Sequence, residues 1–204
     1  MRSVSSEVIP ALPLLLLIAI LLAAIASDLR ARRIPNLLIL IGWSLAAGWH
    51  LFGPAGTWTF DSARPGAAGI LGALAGLIGL LFAFMPFYAL RIMGAGDVKL
   101  MSVVGAFFGA SVDAWAQLVG VSLFVLAAGG ILAVMRITLR RNGAAVLANL
   151  RMIFSAMHAR ASHMPGPSFD ARTDSADRMP YAIAIATGTL LYLVAKWAGW
   201  ITTL

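Results

Sequence analysis

The sequence predicts an all-α fold: a polytopic membrane helix bundle of six transmembrane helices, with both termini exterior (periplasmic). Three observations predict it. First, 61% of the 204 residues are hydrophobic and only 11% are charged, against about 45–50% and 25% in soluble domains. The mean hydropathy of +0.91 has the same cause, a shortage of polar side chains to cover a water-facing surface. Second, the apolar residues gather into six stretches. Third, the basic residues fall on alternate connections between them. Disorder is excluded, because it requires low hydrophobicity. At roughly 20 apolar residues per crossing, the chain has room for one integral membrane domain over 1–204 and no second large one. There are no cysteines, which excludes disulfide frameworks, zinc–thiolate sites, iron–sulfur clusters and cysteine nucleophiles. The net charge of +7 is loop charge that sets orientation. Nucleic acid is not an expected partner, since no basic stretch is interleaved with stacking aromatics.

The first stretch runs from about Pro10 to Ser27 and the second from about Ile34 to Phe52. The third covers about Ala67 to Leu90, and the fourth, short one about Val98 to Val112. The fifth covers about Ala114 to Met135 and the sixth Pro180 to Trp200. Arg2 before an apolar run, with Ala24-Ile25-Ala26 after it, imitates a secretory signal. Three arginines follow the run and only one precedes it, so a retained helix with its amino end outside is expected. The fourth stretch is below spanning length. It spans if its neighbours thin the membrane, or if the GAGD segment enters the bilayer.

Lys and Arg set the orientation. One side holds Arg30, Arg32, Arg33, Arg91, Lys99, Arg136, Arg140, Arg141, Arg151, Arg160, Arg172 and Arg178, which is 12 of the 15 basic residues; the other holds Arg2, Arg64 and Lys196. Six spans sort the charges this way and five would scramble them. The long connection, 136–179, is then cytoplasmic. Within it Val146, Leu147, Leu150, Ile153, Phe154 and Met157 recur at spacings of three and four. That pattern predicts an amphipathic helix over about 144–159, lying on the membrane face or packed on the bundle. In the third stretch Gly69, Gly72, Gly76 and Gly79 line one face, where a neighbouring backbone can approach closely; a cleft for an extended peptide is the lesser reading. Gly105 and Gly109 repeat the idea in the fourth.

Acidic residues number only eight. Glu7, Asp61 and Asp113 fall in or near exterior segments, and Asp170, Asp174 and Asp177 in the cytoplasmic connection. Asp28 and Asp97 remain, the first ending one span and the second beginning another, both at the cytoplasmic rim. An aspartate at mid-bilayer costs about 2.5–3.5 kcal/mol and less at the rim, so one alone is an ordinary solvated boundary charge. Two at one depth, each in an unusual local sequence, are a candidate pair. Asp28 opens DLRARRIPN, where Pro35 suits the start of a helix and pushes Ile34 towards extended backbone. Asp97 closes GAGD, where Gly94 and Gly96 permit a turn and close approach of a substrate strand. Lys99 most simply snorkels to headgroups, with a substrate carbonyl as the second possibility. Two carboxylates within reach of one another hold one proton between them. The ionised member activates water, and the protonated one polarises a carbonyl and later protonates the leaving amine. That is aspartic peptidase chemistry, and it needs no metal and no cofactor. His50, His158 and His163 do not form a metal set, because His50 falls on the opposite side of the membrane.

Asp28-Leu-Arg-x-Arg-x-Ile34-Pro35-Asn36 together with Gly94-Ala-Gly96-Asp97-Val-Lys99-Leu resembles the type IV prepilin peptidases, membrane aspartic peptidases of the GxGD type. Met179-Pro180-Tyr181-Ala-Ile-Ala-Ile-Ala-Thr-Gly188 resembles that family's last span, so the likeness runs from about residue 10 to 200. The resemblance implies Asp28 and Asp97 as the catalytic pair, with Gly94, Gly96, Lys99, Pro35 and Asn36 as candidate substrate-binding positions. It implies cleavage of the leader of prepilin or pseudopilin precursors at the cytoplasmic face of the bacterial inner membrane. Larger members carry an extra amino-terminal region, often with paired cysteines, and also methylate the new amino terminus. This chain resembles instead the short, peptidase-only branch of tight-adherence (Flp-type) pilus systems, for which methylation is in doubt. Membrane lipid is the other expected partner. Competing readings are a peptidase for preflagellins or other signal-like peptides, a proton-coupled carrier, and a non-catalytic pilus-assembly scaffold.

Overall fold

The computed structural model describes residues 5–56, 59–60, 66–90, 92–110, 115–140 and 181–201. Its described secondary structure is six helices and one isolated parallel bridge between Ala55 and Ala67. The helices are α1 (Ser5–Ala31), α2 (Asn36–Phe52), α3 (Gly69–Ala89), α4 (Ala95–Phe108), α5 (Trp115–Arg140) and α6 (Tyr181–Trp197). Each coincides with one expected apolar stretch. Leu12–Ala31, Gly69–Ala89 and Trp115–Met135 are long and apolar enough to cross a membrane. The apolar helices α2 and α6 are shorter, at 17 residues each. α1 continues past Ser27 to take in Asp28, and α5 continues to Arg140, so the first residues of the expected 136–179 connection are helical. The rest of that connection, with the expected helix over 144–159, lies outside the described residues, as do Asp61, Asp113, Asp170, Asp174 and Asp177.

The shortest helix is the centre of the bundle. α4 packs against all five others, and every residue from Leu100 to Phe108 is buried. A helix apolar on all sides is stable only when surrounded. Two glycines give α4 its closest neighbour. A Cβ on Gly76 would overlap the carbonyl oxygen of Gly105, and a Cβ on Gly105 would overlap that of Gly76. The backbones of α3 and α4 therefore touch, and the Ala110 N–H donates to the Gly72 carbonyl at 2.8 Å. Along Gly72, Gly76 and Gly79 the stripe is filled by α4, the residue Ala110 that follows it and α5, which leaves no room for a peptide cleft at those three, while a Cβ on Gly69 would meet nothing within 4 Å. Gly42 brings α2 against the side chain of Val103, and Gly188 brings α6 against the backbone of α5 at Val125.

Fourteen residues make a helix about 21 Å long, against a hydrocarbon core of about 30 Å. The far end of α4 is closed by the α2–α3 connection. Phe60 is fully buried, with its ring 5.0 Å from that of Phe108. The Thr59 N–H reaches the Phe108 carbonyl at 3.4 Å. Buried His50 completes the plug: its Nδ1 accepts the Ala68 N–H at 3.0 Å, so the ring proton sits on Nε2, 3.4 Å from Thr59 Oγ1. Trp49 Nε1–H donates to the same hydroxyl at 3.2 Å. Gly109, at φ +67°, ends the helix against the imidazole, where only glycine fits. At the other end of α4, α3 closes in a tight turn. The Leu90 N–H bonds the Pro86 carbonyl at 2.8 Å, and buried Met93 leads straight into Gly94.

Candidate active site

α1 ends where its sequence turns basic. The Arg32 N–H bonds the Asp28 carbonyl at 2.8 Å, and Arg32 itself takes φ +50°. A left-handed residue there terminates a helix, at a cost of roughly 1–2 kcal/mol for a residue other than glycine. Ser27 Oγ–H donates to the Arg33 carbonyl at 2.8 Å and holds the turned chain against the helix it has left. Pro35 is extended (φ −62°, ψ 138°) and is the cap of α2, with Asn36 the first helical residue. The proline thus stands one position earlier than a first-turn proline. Its carbonyl accepts from Leu38 and Ile39.

Asp97 is the third residue of α4. Its Oδ2 accepts the N–H of Gly94, the cap residue, at 3.1 Å. This returns an otherwise orphaned backbone donor to the helix end and puts a negative charge where the dipole favours it. Gly94 has an ordinary φ of −71°, so its lack of a side chain is about space: a Cβ there would lie 2.9 Å from Asp97 Oδ2. Gly96 serves a different contact. A Cβ there would lie 3.2 Å from the Ile34 Cβ, so the GAGD turn rests directly on the Arg33–Pro35 connection. The two motifs, about sixty residues apart in the chain, form one surface.

The last helix joins them. The backbone N–H of Ala182, in the first turn of α6, donates to the Asp28 carboxylate. Its neighbour Tyr181 lies within electrostatic reach of Asp97. Both aspartates are half-buried. The Oδ2 of Asp28 is one of two buried side-chain oxygens among the described residues with no hydrogen-bond partner, the other being Thr189 Oγ1. A buried acceptor without a donor is costly in a folded protein and calls for a functional or solvent partner.

The expected substrate-binding positions divide. Gly94 and Gly96 shape the turn that carries Asp97. Pro35 and Asn36 are exposed. Lys99 is not directed only to headgroups: its Nζ donates to Asn36 Oδ1 at 3.0 Å. His50 sits at the other end of α4, remote from the aspartates. Among the described residues, no three of His, Asp and Glu come together as a metal-binding group. Sequence reasoning missed the Ala182 N–H. Its one signal was Pro180, which marks the start of a helix whose first amides lack partners within it.

The family model of the type IV leader peptidases matches residues 15–134. The chain belongs to that family. It is accordingly a peptidase of the leader-peptidase type and a membrane protein. The matched segment contains both aspartates and ends before α6. No curated protein and no solved structure matches the chain significantly.

Proposed function

We propose that this leader peptidase is an aspartic endopeptidase that removes the leader of prepilin-like precursors of the Flp type at the cytoplasmic face of the bacterial inner membrane. Asp28 and Asp97 are its catalytic pair. All six helices cross the membrane, with both termini exterior. The arrangement of basic residues supports this orientation, and so does the plug of Thr59, Phe60 and His50, which lets a 14-residue helix serve as a span.

One observation carries the reading. Asp28, near the end of α1, and Asp97, in the first turn of α4, both border the first turn of α6, and Asp28 keeps one buried oxygen without a protein donor. That oxygen is available to a shared proton or to the attacking water. In the reaction, the ionised carboxylate takes a proton from water as its oxygen attacks the scissile carbonyl, and the protonated partner donates to the carbonyl oxygen. Collapse of the tetrahedral intermediate breaks the C–N bond. The proton taken from water passes to the departing amine, and the pair returns to its single-proton state. A precursor whose apolar helix lies in the bilayer and whose leader lies in the cytosol presents its scissile bond at this depth.

The test is co-expression of a candidate prepilin with Asp28→Asn and Asp97→Asn variants, followed by the mobility shift of the processed pilin. Both variants should leave the precursor uncut. Processing at the wild-type rate by both would overturn the assignment. It would favour a scaffold instead, and pH-driven uptake by proteoliposomes without peptide would favour a carrier.

A further inference from the structure

The seam between α2 and α4 contains a chain of hydrogen bonds that begins and ends on α2. Trp43 Nε1–H donates to Ser102 Oγ at 3.1 Å, and Ser102 Oγ–H donates to the Lys99 carbonyl at 2.6 Å. From Lys99 the Nζ returns to Asn36 Oδ1 at 3.0 Å. Asn36 and Trp43 are about two turns apart on one face of α2. Lys99 and Ser102, three residues apart, share one face of α4. The two helices are therefore tied at two levels, with Gly96 resting on Ile34 just beyond the second. Asp97 precedes Lys99 by two residues, a spacing that puts side chains on opposite sides of a helix. A rotation of α4 that loosened the seam would swing Asp97 by the same angle.

We infer that Lys99 and Asn36 are positioning residues rather than substrate ligands: their bond fixes the rotation of α4 against α2 and so aims Asp97. Lys99 is the joint, since its main-chain carbonyl holds the buried Ser102–Trp43 bond and its side chain holds the exposed one. This rests on the reading of Asp97 as catalytic.

The test has two arms, both on the full-length protein in detergent. In the first, kcat and KM are measured for a candidate prepilin. Lys99→Met and Asn36→Leu should each lower kcat by roughly 10- to 100-fold, the loss expected when a reacting group is displaced by about 1 Å, while KM holds. The double variant should be no worse than the poorer single one, because both remove the same bond. Asn36→Asp keeps the acceptor and should recover most of kcat. A raised KM with kcat intact in Lys99→Met, or multiplied losses in the double variant, would mean that lysine binds substrate and would overturn the inference. The second arm needs no activity. Amide exchange over Gly94–Val98 should quicken in Lys99→Met and Asn36→Leu and stay as wild type in Asn36→Asp; unchanged exchange in the first two would also overturn it. If the wild-type protein cuts no prepilin, the functional reading fails, while the exchange arm still decides whether this bond holds the turn.

Discussion

The N–H of Ala182 donates to the carboxylate of Asp28, so the first turn of the last helix is bonded to the end of the first helix. The start of a helix is a place where negative charge is stabilised, by unpaired amides and by the positive end of the dipole. Asp28 therefore takes its orientation from an element that stands more than 150 residues away in the chain.

Replacing Ala182 isolates that amide. Proline at this early helical position removes the donor without breaking the helix. Ala182 is fully buried, so added bulk needs its own control, which valine supplies with the N–H retained. Losing a hydrogen bond to a charged group is worth about 1.5–3 kcal/mol, so Ala182→Pro should fall roughly 10- to 100-fold below Ala182→Val in kcat. Equal rates for the two variants would show that Asp28 does not depend on the amide.

Gly94 and Gly96 should fail differently when each is changed to alanine. A Cβ at Gly94 meets the Asp97 carboxylate itself, while one at Gly96 meets the side chain of Ile34. Gly94→Ala should turn the carboxylate and cost kcat by about tenfold or more, with little change in thermal stability. Gly96→Ala should lower the melting temperature first, by loosening the seat of the turn on the α1–α2 connection. Activity assays and thermal unfolding of the purified variants separate the two.

Much of this was legible in the sequence because lipid simplifies the code. Six apolar stretches became six helices, since a chain this poor in polar residues has few other ways to satisfy its backbone. Asp28 and Asp97 stood out because acids are scarce, and in the glycine stripe Gly72, Gly76 and Gly79 do pack closely while Gly69 does not. The limits have equally physical causes. Lys99 carried no mark of its partner, because the bond to Asn36 depends on the rotation of two helices that no local pattern encodes. The Ala182 N–H belongs to the backbone and has no side-chain signature; Pro180 signalled only that a helix starts nearby. The plug over α4 was hidden in a connection, where Thr59 and Phe60 looked like ordinary loop residues until the short helix beneath them needed a lid.

The contact between Gly76 and Gly105 should be the bundle's least tolerant point. An added methyl meets a carbonyl oxygen, which cannot rotate away as a side chain can. Gly105→Ala gains up to about 1 kcal/mol in helix propensity, yet overpacking of this kind costs about 1–3 kcal/mol, and the backbone neighbour puts it at the upper end. Net destabilisation is expected. Gly48 is the matched control: nothing lies within 4 Å of its Cβ position, so Gly48→Ala should melt no lower than wild type. The reverse order of melting temperatures would mean that α3 and α4 do not pack backbone to backbone.

At the far end of α4, His50 gives its Nδ1 to the Ala68 N–H and its ring to the close approach of Gly109. His50→Ala leaves that half-buried amide without an acceptor, a loss of about 1–3 kcal/mol, and opens space beside Gly109. Asparagine places an oxygen near the position of Nδ1, so His50→Asn should recover much of the stability. Since the plug lies at the opposite end of the helix from Asp97, both variants should bind a prepilin with unchanged KM. Their activity should fall only at temperatures where His50→Ala begins to unfold. A change in KM at low temperature would contradict this, because it would couple the plug to the substrate site through α4. Thermal unfolding alongside kinetics at two temperatures distinguishes a structural cap from such a coupling.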